Sequence, residues 1–244
     1  MQRAQTHGRQ RATDVLVIVV EDSNDGVVAR LSTSLGTENA THLYRAFLLD
    51  LHERFCRAKD VDGYDLCWAC LPTFDLPGPA LGIESRTPVQ RGEEITERRF
   101  NICNDIAARG YQRLIITGSD LPHLPVSIVR QCFKALDGRD VVFGPGDHCG
   151  YYLVGVHLYP EPPNLFRGIQ MDTSTALAQT LVRAADLHCS VALLAPTFDA
   201  GDAYDSHHLL NVLQHAGTAV APRTTEELRR LINTEHVPHS IVHA

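Results

Sequence analysis

No surplus of basic residues is present: Lys and Arg together number 22 against 29 Asp and Glu, a formal net charge of −7. Neutralising a phosphate backbone or an anionic bilayer needs the opposite balance, so a nonspecific nucleic-acid or anionic-membrane binder is excluded, while a local basic pocket is not. Long hydrophobic runs are also missing. The longest, VLVIVV at 15–20, falls far short of the ~18 residues of a membrane span, and the polar stretch 1–13 before it does not resemble a targeting segment. Cysteine is too sparse and odd in number, seven in 244 residues, for a disulfide framework. A reduced, cytoplasmic setting is expected. The pair Cys67 and Cys70 lies in YDLCWACL, which reads as a strand; residues three apart there face opposite sides, so the two thiols cannot readily share a metal or a bond.

What is present is alternation of strand and helix. Strands are expected at 15–20, 64–71, 113–117, 140–144, 151–156 and 190–195. Helices are expected at 39 to about 58, where Leu43, Phe47, Leu51 and Phe55 recur every fourth residue, at 93–109, and near 127–136, 173–187 and 206–215. A last helix is expected to open on a Thr224-x-x-Glu227 capping box, and the stretch 72–91, rich in Pro and Gly, reads as loop. Unbroken apolar strands between helices predict an α/β fold: a single-domain, three-layer αβα sandwich around a mostly parallel, Rossmann-like central sheet. The domain is expected over 14–233, with tails at 1–13 and 234–244.

In such a sheet ligands gather beyond the carboxyl ends of the strands, and the stretch LIITGSDLPHLP (114–125) delivers an acid there. Asp120 directly follows the strand RLIIT, Gly118 leaves room for a close approach, and Pro122 and Pro125 stiffen the exit. Two readings stand side by side: a carboxylate for a hard cation that bridges phosphate oxygens, or a cap for the helix that follows.

Four stretches in order, GSDLPHLP, VVFGPGDHCGYYLVGV (141–156), LFRGIQMDTSTALAQTL (165–181) and LLAPTFDAGDAYDSHHL (193–209), resemble segments of the DUF2064 family. These glycosyltransferase-like proteins fall in the GT-A, nucleotide-diphospho-sugar transferase superfamily, near the 2-phospholactate guanylyltransferases. The likeness covers most of 15–232. It implies a metal-dependent transferase acting on a nucleotide-sugar or nucleotide and a small-molecule acceptor, with Mg²⁺ or Mn²⁺ held by Asp120 and by Asp202. Asp202 falls at the first acid of the family's Asp-x-Asp-Thr segment, where Tyr204 replaces the second acid and Asp199 stands nearby as a competitor. Gly118 and Ser119, next to Asp120, are expected to contact the bound nucleotide, and Gly150 and Tyr151 match the family's Gly-Tyr-Tyr, where a ring shapes the acceptor side. Tyr151 and Tyr152 read equally as core and surface aromatics alternating on a strand.

The chain also departs from that family. Its Val27-Val28-Ala29-Arg30-Leu31, read as part of the first loop, keeps Arg30 but not the usual lysine, and the preceding Glu21-Asp22-Ser23-Asn24-Asp25-Gly26 is acidic where a di- or triphosphate favours cations. The usual Asp-Gly before Gly-Tyr-Tyr is His148-Cys149, which makes His148 a candidate general base. Arg91, in Gln90-Arg91-Gly92 just ahead of a helix, is a candidate anion contact, whereas Arg98 and Arg99 read as a solvated, salt-bridged face. His207 and His208 diverge around their helix and chelate poorly. Glycosyl transfer leads, nucleotidyl transfer follows, and a non-catalytic binding partner stands third.

Overall fold

A computed structural model describes residues 12–20, 26–71, 90–147, 150–171, 173–200, 204–216 and 220–235. In chain order its elements are β1 (Asp14–Val19), α1 (Val27–Leu35), α2 (Thr37–Asp62), β2 (Asp65–Ala69), α3 (Ile95–Ala108), β3 (Arg113–Gly118), α4 (Val126–Leu136), β4 (Val141–Pro145), β5 (Tyr151–His157), α5 (Ala176–Asp186), β6 (Val191–Leu193), α6 (Tyr204–Ala216) and α7 (Pro222–Glu235). The expected tails fall almost entirely outside the described residues, as does most of the loop expected at 72–91.

The strands form one mixed sheet in the order β2-β1-β3-β5-β4-β6. β1 is parallel to β2 and β3, and β4 to β6, while β5 is antiparallel to both β3 and β4. Val17 of the central strand lies level with Cys67 on one side and Ile116 on the other. VLVIVV carries no polar alternation because both its faces are covered. Leu16, Ile18 and Val20 pack into a cluster with α1, α2, α4, α6 and α7, and Val15, Val17 and Val19 into one with α3 and α5. Helices on both sides make the three-layer αβα sandwich. Phe47 and Phe55, fully buried on α2, each contribute about 1.5–3 kcal/mol by leaving water. Cys67 and Cys70 divide between the two clusters, as strand alternation requires, and burial pushes the thiols of Cys70 and Cys103 up to about 12.

Two local expectations are corrected. Residues 27–31 are not loop: they open α1, whose Val27, Val28 and Leu31 are buried, and the hydroxyls of Ser32 and Thr33 donate back to the carbonyls of Val28 and Arg30. Burial overrides the poor helix propensity of the Val-Val and Ser-Thr-Ser runs. Nor is Thr224 a helix cap. α7 starts at Pro222, whose missing N–H costs nothing at a first helical position, and Thr224 lies inside the helix. The cap is distant in sequence: buried Asp50 of α2 accepts from the Thr224 amide at 2.8 Å, the Arg223 amide at 3.3 Å and Arg223 Nη1 at 3.2 Å.

Candidate functional site

β3 ends mid-sheet at Gly118, and the chain turns out at the carboxyl edge through Ser119 and Asp120. A Cβ on Gly118 would lie 2.5 Å from Asp120 Oδ1, so the missing side chain is what lets the carboxylate fold back over the strand end. Ser119 is fully buried, its Oγ 2.6 Å from the hydroxyl of Tyr44 on α2. Asp120 is 7% exposed, and its Oδ2 accepts from Arg30 Nη2 of α1 at 3.3 Å. Its main-chain carbonyl takes the amide of Ala200 at 2.9 Å. Asp120 does not cap the next helix: α4 begins after Pro125 with no side-chain cap, so of its two readings the cap is lost. The correct placement of α1 gives Arg30 a helical platform beside Asp120.

The turn after Asp120 is clamped from α2. Arg54 donates to the carbonyls of Pro122 at 2.7 Å and Leu124 at 2.6 Å, and burial draws its pKa down to about 10. Between them, His123 stacks on Phe198 with ring centroids 4.3 Å apart, and its Nε2 lies 3.2 Å from Thr197 Oγ1. Burial, with the charges of Arg54 and His208, pushes the His123 pKa down to about 4, so the ring is neutral at physiological pH. Asp199, 8% exposed, belongs to the same packed segment. Asp202, His148 and Cys149 lie outside the described residues, as does the side chain of Tyr204.

The other expected residues are distributed as follows. Gly150, with φ of +80°, abuts the start of α5: a Cβ there would lie 2.8 Å from Ala176 Cβ and from the Leu177 amide. Tyr151 packs on the α3 and α5 side, its ring edge-on to Phe143 at 5.2 Å and its hydroxyl 3.3 Å from Met171 Sδ. Tyr152 turns to the opposite face, shared with Tyr44, and donates to the Ala195 carbonyl at 3.0 Å. Arg91 pairs with Asp105 of α3 at the exposed surface. Its neighbour Gln90 is buried and donates from Nε2 to the carbonyls of Val20 and Ala69, tying together the exits of β1 and β2. Arg98 and Arg99 are half-buried rather than solvated; Arg98 Nη1 donates to the Glu93 carbonyl. His208 tilts against Phe198, with ring centroids 4.4 Å apart.

The edge thus presents one buried carboxylate with a guanidinium beside it and a second acid-bearing segment held close by. Oxygen donors of this kind suit a hard divalent cation, and the absent side chain of Gly118 is what accommodates Asp120 Oδ1 at the strand end. Among the described residues no group of three or more His, Cys, Asp or Glu side chains is arranged to hold a metal. Among them also, no helix is long and apolar enough to cross a membrane.

Residues 65–173 match the model of the DUF2064 family, described as uncharacterized proteins conserved in bacteria, and Asp120, Gly150 and Tyr151 lie inside the matched stretch. No curated protein matches the chain. Among solved structures, a candidate nucleotide-diphospho-sugar transferase of Desulfovibrio desulfuricans G20 superposes with a TM-score of 0.78 at 24% identity, covering 90% of this chain and 97% of that one. The two share a fold. A 4-diphosphocytidyl-2C-methyl-D-erythritol synthase of Anaerococcus prevotii DSM 20548 is more distant, at a TM-score of 0.47 and 9% identity over 76% and 90% of the two chains. The manganese complex of Rv0371c from Mycobacterium tuberculosis H37Rv has a TM-score of 0.41 at 12% identity over 83% and 99%.

Proposed function

We propose that this chain is a metal-dependent glycosyltransferase-like enzyme that binds a nucleotide-diphospho-sugar at the carboxyl edge of β3 and passes the sugar to a small-molecule acceptor. The observation that carries this is the placement of Asp120: a buried carboxylate at the end of a central strand, seated over Gly118 and flanked by Arg30, in the fold of a nucleotide-diphospho-sugar transferase candidate. Mg²⁺ or Mn²⁺ held by Asp120 together with Asp202 would offset the charge that builds on the departing diphosphate. Arg30, whose side chain is 43% exposed, reaches the same place from α1 and supplies a cation to a phosphate oxygen once it is drawn from Asp120. Ser119, held by Tyr44, keeps the strand end from shifting under the ligand. His148, next to the Gly150 turn, takes the proton from the acceptor hydroxyl.

Calorimetric titration of nucleoside diphosphates, triphosphates and nucleotide-sugars, with Mg²⁺ or Mn²⁺ and with chelator, into the wild type and Asp120→Ala tests the assignment. Metal-dependent binding of a nucleotide-sugar that is lost in Asp120→Ala is the expected result. A preference for a triphosphate with release of pyrophosphate would instead assign nucleotidyl transfer. If no nucleotide binds with either metal, the chain is a non-catalytic binding partner.

A further inference from the structure

Two short segments flank Asp120: the turn 121–125 that follows it and the stretch 197–200 that returns from β6. They lie 74 residues apart where they meet, at His123 and Thr197, and most of what joins them runs through one ring. His123 is 8% exposed and lies flat on Phe198, with 10° between the ring planes. Its Nε2 bonds Thr197 Oγ1. The turn cannot slide under the ring because Arg54 holds the carbonyls on either side of it. The Phe198 ring is also packed against His208, with centroids 4.4 Å apart. At the ends of the stretch, the Thr197 amide donates to the Pro145 carbonyl at 3.1 Å and the Ala200 amide to the Asp120 carbonyl. Asp199 sits within that span and Asp202 just beyond it.

We propose that His123 is a positioning residue that latches the 197–200 segment onto the strand end bearing Asp120, and so sets where the second acidic segment meets the first. Nothing in the mechanism requires His123 to touch substrate or metal. Its ring is suited to the task because it is uncharged: a neutral imidazole stacks on Phe198 without a charge to desolvate, and beside Arg54 a protonated one would be repelled. His123→Phe preserves the stack and removes the ring's polar contacts, that to Thr197 among them, whereas His123→Ala removes both.

Amide hydrogen exchange on full-length wild type, His123→Ala and His123→Phe tests the latch without any ligand. In His123→Ala the Thr197 and Ala200 amides are expected to exchange faster by about tenfold, the order that follows from losing one stacked aromatic pair, while Ile115 and Ile116 of β3 keep their protection. His123→Phe is expected to recover most of the difference. Unchanged exchange at 197 and 200 in His123→Ala would overturn the proposal. So would an equal loss across β3, since that marks general packing. The link to the site rests on the proposed function and is read separately, by titrating Mn²⁺ alone: His123→Ala is expected to bind about 10–100-fold more weakly than wild type, the usual cost of losing a residue behind a metal ligand. Lost protection with unaltered Mn²⁺ affinity would overturn the positioning role. If the wild type itself binds no Mn²⁺ even with a nucleotide-sugar present, the proposed function fails, and the latch is decided by exchange alone.

Discussion

The half of the sheet made by β2, β1 and β3 and the half made by β5, β4 and β6 arrive at the same edge by opposite routes. In the first, three parallel strands end side by side, and side chains from elsewhere close over them: Gln90 on the exits of β1 and β2, Tyr44 on Ser119, Arg30 on Asp120. In the second, β5 runs backwards, so the edge receives its amino end, where the Gly146 amide donates to the Gly150 carbonyl. Close packing dominates there: α5 against Gly150, and the Tyr152 ring over Gly144, where a Cβ would lie 2.4 Å from Tyr152 Cζ. Polar groups meet at the first half, and shape is fixed at the second. Two glycines embody the contrast. Gly118 gives space to a carboxylate; Gly150 gives space to a helix.

Substitutions at these positions break the contrast or sharpen it. Gly150→Ala is expected to do most damage to the fold, because a left-handed backbone and a 2.8 Å encounter with the Leu177 amide coincide; a loss of about 3 kcal/mol in urea unfolding is predicted. Next comes Asp50→Ala, which removes the acceptor for two amides at the start of α7 and is predicted to cost about 2 kcal/mol by the same assay. Acid also weakens the fold through His123. Its folded pKa, about 4, is below the 6.5 of an unfolded histidine, so as pH falls through this window the unfolded chain takes up a proton that the folded chain refuses, and stability drops. Unfolding titrations across that window should show a shallower decline in His123→Phe. Gly118→Ala should change stability by less than about 1 kcal/mol, since its Cβ meets only the tip of Asp120, yet abolish metal-dependent nucleotide binding as Asp120→Ala does. Arg91→Ala, which breaks an exposed ion pair, is expected to shift stability by no more than about 0.5 kcal/mol.

Strands were legible in the sequence where burial on both faces left an uninterrupted apolar run, as in VLVIVV and RLIIT. Their direction was not: YYLVGV reads the same whichever way it is threaded, and only pairing with β3 and β4 shows it reversed. α1 was missed because its residues favour helix poorly by themselves and gain it by packing. The start of α7 was misplaced because its true cap stands on α2. In the site, Asp120 could be found from adjacency to a strand alone, since Gly118-Ser119-Asp120 continues β3. Arg54, His123, Gln90 and Tyr44 act on groups between 21 and 75 residues away, and no local pattern marks them. Asp202 and His148 rest on the family pattern alone.

Asp50 also imposes an order of events during synthesis. Its carboxylate is buried only once Arg223 and Thr224 cover it, and 173 residues separate it from the first of them. At 5–20 residues per second a ribosome needs on the order of 10–30 s to make that stretch. Throughout this interval Asp50 lacks the α7 amides, the opposite charge near it on α2 is Arg54, and water must reach it. The long helix therefore cannot seal that side early. A helix made 173 residues later decides when α2 is finished, which leaves that side of α2 open to chaperones until α7 is made.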